Sequence, residues 1–378
     1  ILDGLLGLGS KLPLRDPMRA ACREINRLRN AERAFVFAID VPTGLDADSG
    51  AVDSDCVIAD CTVTIGFAKR GLLADGALDV VGRLEVIPLP SLPSAGANEE
   101  AIVADPESLR PLFPRRKFGA YKNQFGRVGI LAGSKGFTGA ALLCSLGALR
   151  GGSGLVELFV PEDIYPVIAA SAAPEVMVKA IAAYDALIEE PIDVWAIGPG
   201  MGQGDPAEIL HLIESLRSPM VIDADGLNIL SQQMSTLEKS TAPRLLTPHP
   251  GEMKRLFPSQ EGSRAEIAAR FSAKYPTTLL LKGSRTIVAE RGRSLSYNTT
   301  GNPGMATGGM GDVLTGVCAA LMAQKLSAYD AARVAAWVCG RAAEIAIFQG
   351  NASEQSLLPT DVVQNLGRAF IDLQTAGT

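Results

Sequence analysis

Several broad functional classes are excluded by what this sequence lacks. It has no run of ~18 or more apolar residues, so no membrane-spanning helix is expected. It has no excess of positive charge: 35 Lys and Arg against 41 Asp and Glu leave a net −6, which gives no electrostatic support for binding nucleic acid. Cysteines are few and scattered, at Cys22, Cys56, Cys61, Cys144, Cys318 and Cys339, with no Cys-x-x-Cys pair. In a chain of 378 residues that pattern makes no disulfide framework, and the reading is a reducing, cytoplasmic compartment. Histidine is nearly absent, with His211 and His249 alone. Position 1 is Ile, and no signal-peptide pattern opens the chain. "ILDGLLGLGSKLP" reads instead as the end of a strand running into a loop, and the expectation is that the N-terminal part of a longer protein is missing.

The composition, 47% apolar and 20% charged, is that of a globular protein with room for two domains. Short apolar runs at 34–39, 62–67 and 84–87 predict strands. "PLPSLPSAGANEE" then breaks the pattern, and the expected division is residues 1–92, a linker over 93–105, and residues 106–378. After it the spacing predicts strands over 128–132, 155–160, 194–197, 220–222, 245–246 and 278–281. Helices are predicted over 140–150, 206–216, 264–274, 312–324 and 328–348. This alternation implies an α/β fold with a mostly parallel sheet, whose ligands sit beyond the carboxyl ends of the strands.

The segments following those strands are poor core and good ligand-contacting material: "GSKGFTGA", "GPGMG", "DADGLN", "TPHPGE" and "KGSRT". The densest glycine run, "GNPGMATGGMGDVLTG", leads into a helix expected to begin near Asp312. Glycines let backbone N–H groups approach an anion, and a helix N-terminus adds partial positive charge. No Lys-Ser/Thr follows, so this is not a P-loop. Asp312 reads either as a plain N-cap or as a base that takes a proton from a hydroxyl while the N–H groups hold a transferring phosphoryl group. Lys282 is either a solvated strand-end lysine or, beside Gly283 and Thr286, a phosphate or ribose contact. His249 stands between Pro248 and Pro250, which stiffen its loop, while His211 lies in an ordinary amphipathic helix. For Asp223, Asp225 and Asn228 two readings stay open. One carboxylate could approach Mg²⁺ on a nucleotide, or the three could form an Asx-type turn and helix cap.

From Arg115 onward, these motifs in this order resemble the ADP/ATP-dependent NAD(P)H-hydrate dehydratases of the ribokinase-like superfamily. The resemblance implies a three-layer domain that phosphorylates the hydroxyl of a hydrated nicotinamide ring and eliminates phosphate, returning NADH or NADPH. It implies Asp312 as the catalytic residue. It places the adenine nucleotide, carried with Mg²⁺, on Lys282, Gly283, Ser284, Arg285, Thr286 and Gly311. It places the hydrated substrate on Ala140, Gly202, His249 and Asp312. Where the family has His-Lys-Gly this chain has Tyr121-Lys122-Asn123, which keeps Lys122 in place. The family also implies a homo-oligomer, and ADP as donor in a bacterial member.

The N-terminal segments "LDGLLGLGSKLPL" and "AIDVPTGLDADSG" resemble the second half of the Rossmann-like NAD(P)H-hydrate epimerase domain often fused ahead of this dehydratase. That resemblance implies potassium ligands at Asp3 and Thr43. It implies substrate positions at Gly7, Leu8, Gly9, Ser10, Lys11, Leu12, Pro13 and Asp40. Thr43 stands where Ser is usual and Leu8 where Thr is common. Epimerisation of the two hydrates is therefore expected of the full-length protein. Two other readings compete: a small-molecule kinase of the same superfamily, and an adenylate-binding sensor on an inactive scaffold. The first would leave a stable phosphorylated product; the second has no need of Asp312.

Overall fold

Aliphatic and β-branched runs, punctuated by glycine turns, build two sheets in the computed structural model, which describes residues 1–89, 100–113, 115–258 and 261–375. They belong to two compact units, Ile1–Val103 and Ala104–Thr378. In the first, β1 (Leu2–Asp3), β2 (Phe37–Ile39), β3 (Cys61–Ile65) and β4 (Arg83–Ile87) lie side by side in chain order, all parallel. The helix Met18–Glu32 carries the chain from β1 back to β2 and buries Cys22. Because Asp3 is in register with Ala38, the loops after β1 and β2 leave from the same sheet end.

The second sheet holds β5 (Ala101–Ala104), β6 (Arg127–Leu131), β7 (Leu155–Pro161), β8 (Val176–Ile181), β9 (Val194–Ile197), β10 (Met220–Ile222), β11 (Arg244–Leu246), β12 (Thr278–Leu281), β13 (Ile287–Ala289) and β14 (Leu295–Asn298). Their order is 5-14-13-12-11-10-9-6-7-8, with β5 at the edge, where the boundary between units falls. From β8 across to β12 every neighbouring pair is parallel; β12–β13 and β13–β14 are antiparallel. The strand order reverses direction between β6 and β9, and the carboxyl ends at such a switch point are the usual ligand position in an α/β sheet. Of the linker expected over 93–105, residues 93–99 lie outside the described residues. Ala101–Ala104 form a strand, and Asp105 caps the short helix Pro106–Leu109, its carboxylate accepting from Ser108 N at 2.8 Å.

Two helices fix the position of the glycine-rich loop. Thr138–Arg150 and Met310–Ala323 pack so closely that a Cβ on Gly316 would lie 2.0 Å from Cys144 O, and one on Gly147 2.4 Å from Val313 O. The last glycine of "GDVLTG" thus serves helix packing. Behind this pair, Ala328–Phe348 is buried along most of its length.

Candidate active site

Each expected loop of the second unit leaves the carboxyl end of its strand, and backbone hydrogen bonds join these loops into one rim. Gly133 N donates to Pro199 O at 2.9 Å, linking the loops after β6 and β9. Asp223 N donates to Ile197 O at 3.0 Å, Thr247 N to Ile222 O at 3.2 Å, and Lys282 N to Pro248 O at 2.8 Å. The rim thereby gathers Ala140, Gly202, Asp223, His249 and Lys282. Lys122 begins the turn before β6, at the opposite end of that strand.

The helix bearing Asp312 starts at Met310 rather than at Asp312. Its N-cap is Gly309, whose φ of 94° is a left-handed conformation that a side chain would resist. Asp312 is the third helical residue and is not the cap, so the N-cap reading is set aside. Burial pushes its carboxyl up to about 7; the Asp223 charge adds to the rise and the Lys282 ammonium opposes it.

Lys282 is not a solvated lysine. Its Nζ donates to Asp223 Oδ1 at 2.6 Å and stands 3.9 Å from Glu252 Oε2. Burial works against its charge, but Asp223 and Glu252 outweigh that and hold it above the ordinary lysine value. A Cβ on Gly311 would lie 3.2 Å from this ammonium, so glycine leaves the space beside it clear. Asp223, which is 1% exposed, makes no side-chain cap bond to the helix Ala224–Leu230, which corrects the cap reading for this residue. Asp225 accepts from Gly202 N at 2.9 Å and from Asn228 Nδ2 at 3.3 Å, tying the loop after β9 to the helix that follows β10.

Three carboxylates, Asp223, Glu252 and Asp312, therefore surround one ammonium. Among the described residues no group of three or more His, Cys, Asp or Glu side chains can hold a metal ion unaided. The surplus of negative charge fits a cation that arrives already bound to phosphate, as Mg²⁺ on a nucleotide does.

His249 caps the helix Pro250–Leu256. Its Nδ1 accepts from Gly251 N at 2.9 Å, and Glu252 accepts from His249 N at 2.8 Å. The ring as a whole is half-exposed on the rim, with its Nε2 3.5 Å from Glu252 Oε1. Gly283 and Ser284 are exposed, while Arg285 is buried with φ 54°; Arg264 Nη2 donates to Ser284 O at 2.5 Å, and Thr286 Oγ1 to Gly283 O at 3.0 Å. The loop is thus held, with its first two residues open to solvent. Glu252, Thr315 and the exposed Phe137 belong to this rim or its floor and escaped the reading of the sequence. The signal for Glu252 was its place three residues after His249, the spacing of a capping box.

In the first unit Asp3 is fully buried. Its Oδ2 accepts from Thr43 N at 2.8 Å, and its Oδ1 accepts from Thr43 Oγ1 at 2.7 Å and from Leu5 N at 3.3 Å. Among the described residues no Lys or Arg pairs with it. A buried carboxylate beside a hydroxyl, lacking a side-chain cation, is a donor set that fits a monovalent metal ion. Asp40 accepts from Lys69 Nζ, from Thr64 Oγ1 at 3.2 Å and from Ile65 N at 3.1 Å. Burial would raise its carboxyl, but Lys69 and the Ile65 N–H outweigh it and hold the group below the ordinary aspartate value. Lys69 was not anticipated; it follows β3, at the same sheet end as Asp40. Gly7 to Pro13 form the loop after β1, and a side chain on Gly7 or Gly9 would meet nothing within 4 Å.

Comparison with known proteins identifies the family. Residues 128–367 match the family model described as NAD(P)H-hydrate dehydratase, and residues 1–71 match the YjeF-related protein N-terminus. A bifunctional NAD(P)H-hydrate repair enzyme of Moorella thermoacetica is 37% identical over 92% of this chain and 69% of its own length. Its Escherichia coli counterpart is 36% identical over 97% of the chain and 71% of its own length. Among solved structures, an ADP/ATP-dependent NAD(P)H-hydrate dehydratase from Bacillus subtilis, co-crystallised with ATP and Mg²⁺, is 30% identical. It superposes with a TM-score of 0.65 over 74% of this chain and all of that one.

Proposed function

The chain belongs to the NAD(P)H-hydrate dehydratase family, and from that premise we propose that it restores hydrated NADH or NADPH at the Asp312 rim, with ADP or ATP as phosphoryl donor. One observation carries the assignment of the rim. Asp312, whose carboxyl burial pushes up to about 7, shares a helix N-terminus with Gly311, and the half-buried Lys282 ammonium at the end of β12 stands beside them. An acceptor hydroxyl needs a nearby base, and a transferring phosphoryl group needs donors already in place.

The step balances as follows. The ring hydroxyl of the hydrate gives its proton to the Asp312 carboxylate as its oxygen bonds to the terminal phosphorus. The bond from that phosphorus to the bridging oxygen breaks, and AMP or ADP leaves with the electron pair. Hydroxide is a poor leaving group and phosphate a good one. The carbon–oxygen bond then breaks, the neighbouring ring carbon loses its proton to solvent or base, and the double bond of the reduced nicotinamide returns. Mg²⁺ bound with the nucleotide supplies neutralisation of phosphate charge. Lys282 and the N–H groups at the start of the Met310–Ala323 helix orient the phosphates, with Gly283, Ser284, Arg285 and Thr286 framing the nucleotide. Ala140, Gly202 and the half-exposed ring of His249 bound the hydrate.

For the first unit the reading is epimerisation of the two hydrates in the full-length protein, with K⁺ held by Asp3 and Thr43 and substrate along Gly7 to Pro13 and at Asp40. A homo-oligomer and a cytoplasmic location accompany this reading as family expectations. Among the described residues no helix is long and apolar enough to cross a membrane.

Asp312→Asn tests the assignment. Nucleotide binding, measured by calorimetry, should change by less than about threefold, while turnover falls about 10³-fold or more. Normal turnover in that variant would remove Asp312 from the base role.

A further inference from the structure

One buried hydroxyl in this cluster has no part in the chemistry just described. Thr315 is fully buried, nearly one turn beyond Asp312 on the same helix. Its Oγ1 donates to Asp223 Oδ2 at 2.8 Å, a bond spanning 92 positions of sequence. A helical threonine commonly turns its hydroxyl back onto a carbonyl of the preceding turn. Here it reaches across to the end of β10. The other oxygen of the same carboxylate takes the Lys282 ammonium at 2.6 Å. Among the described residues, Thr315 and Lys282 are the two side chains hydrogen-bonded to Asp223, so between them they set the plane of its carboxylate.

The arrangement suits a cation that must be aimed. Lysine is a compact charge on a flexible stem with three donors, and only the contact that anchors it decides where the others point. Asp223 takes one donor, and Glu252 lies at 3.9 Å, beyond hydrogen-bond length. A further N–H remains for a ligand on the side that Gly311 leaves clear.

We propose that Thr315 is a positioning residue of the phosphoryl-transfer site: by fixing Asp223 it holds the Lys282 ammonium beside Gly311, where it meets an oxygen of the phosphoryl group during transfer. The proposal rests on the reading of this rim as the phosphoryl-transfer site. Without the hydroxyl, the Asp223 carboxylate is free to turn about its own bond and carries the ammonium with it. Because the contact matters most during transfer, its loss falls on kcat rather than on binding.

The test compares Thr315→Val, which keeps the shape, with Thr315→Ser, which keeps the hydroxyl, in the return of NADH absorbance from hydrated NADH at saturating nucleotide and Mg²⁺. Thr315→Val should lower kcat about ten- to a hundredfold while both KM values stay within about threefold, and Thr315→Ser should recover to within about threefold of the native enzyme. Melting temperatures are read in parallel. If Thr315→Val melts below the assay temperature, Thr315→Ala takes its place. The double variant with Asp223→Asn should be no slower than Asp223→Asn alone, since Thr315 acts through Asp223. Native kcat in Thr315→Val, no recovery with Ser, or losses that multiply in the double variant would each overturn the proposal. If the native protein itself returns no NADH with either nucleotide, the reading of the rim fails first and takes this inference with it.

Discussion

Asp312 and Asp223 occupy one pocket but sit in different surroundings. Asp223 accepts from both Lys282 and Thr315, whereas Asp312 is half-buried near it, and that desolvation, with the Asp223 charge, pushes its carboxyl up to about 7. A base must be deprotonated to act, so kcat/KM for the hydrate should rise with pH through about 7 and level off above it, and a pH–rate profile of the native enzyme checks this. The same shift acts on stability with the opposite sense. Between its ordinary value of 3.8 and about 7, folded Asp312 keeps a proton that the unfolded chain has released, so stability falls as pH rises through that window. Above pH 7, Asp312→Asn should therefore be more stable than the native chain, by up to roughly 4 kcal/mol, in denaturant titrations. Equal stability at pH 8 would show that this carboxylate is not strained by its surroundings.

Elements decide how accurately those side chains are held. The glycine-rich loop is positioned because the helices Thr138–Arg150 and Met310–Ala323 touch backbone to backbone at Gly147 and Gly316. Gly316→Ala improves helix propensity but forces a methyl into Cys144 O. A net loss of about 2–4 kcal/mol is expected, with a fall in kcat as Asp312 shifts. A melting temperature at or above the native value would contradict that packing role. The central elements were legible in the sequence because burial on both faces demands continuous apolar runs: β9, β10 and β12 lie where Val194–Ile197, Met220–Ile222 and Thr278–Leu281 predicted. The periphery was not. β14 carries Ser296, Tyr297 and Asn298, and β8 keeps only Val176 fully buried, so neither shows a buried-strand pattern. The same reason hid Thr315 and Glu252. A hydroxyl or carboxylate reveals its partner only when distant segments meet, and Thr315 meets Asp223 across 92 positions. The glycines were legible as a group but not individually: Gly309 caps and Gly311 clears space for Lys282, while Gly316 packs a helix.

At the scale of the whole molecule, two units with separate sheets and cores carry two separate sets of candidate residues, Asp3, Asp40 and Thr43 in one and Asp312, Asp223 and Lys282 in the other. Asp3→Asn should abolish the dependence of hydrate epimerisation on K⁺ and slow it at least about tenfold, while dehydration of the S hydrate stays within about twofold. Chiral separation of the hydrates with K⁺ or Na⁺ checks this, and equal loss of both activities would deny the division of labour. Phosphoryl transfer followed by elimination at the Asp312 rim is measured by mixing the protein with hydrated NADH, Mg²⁺ and either ADP or ATP. NADH absorbance and phosphate release are followed together. With at least one of the nucleotides, one NADH and one phosphate should appear for each nucleotide consumed. Consumption of nucleotide with a stable phosphorylated product and no NADH, or no reaction with either nucleotide, would contradict this reading.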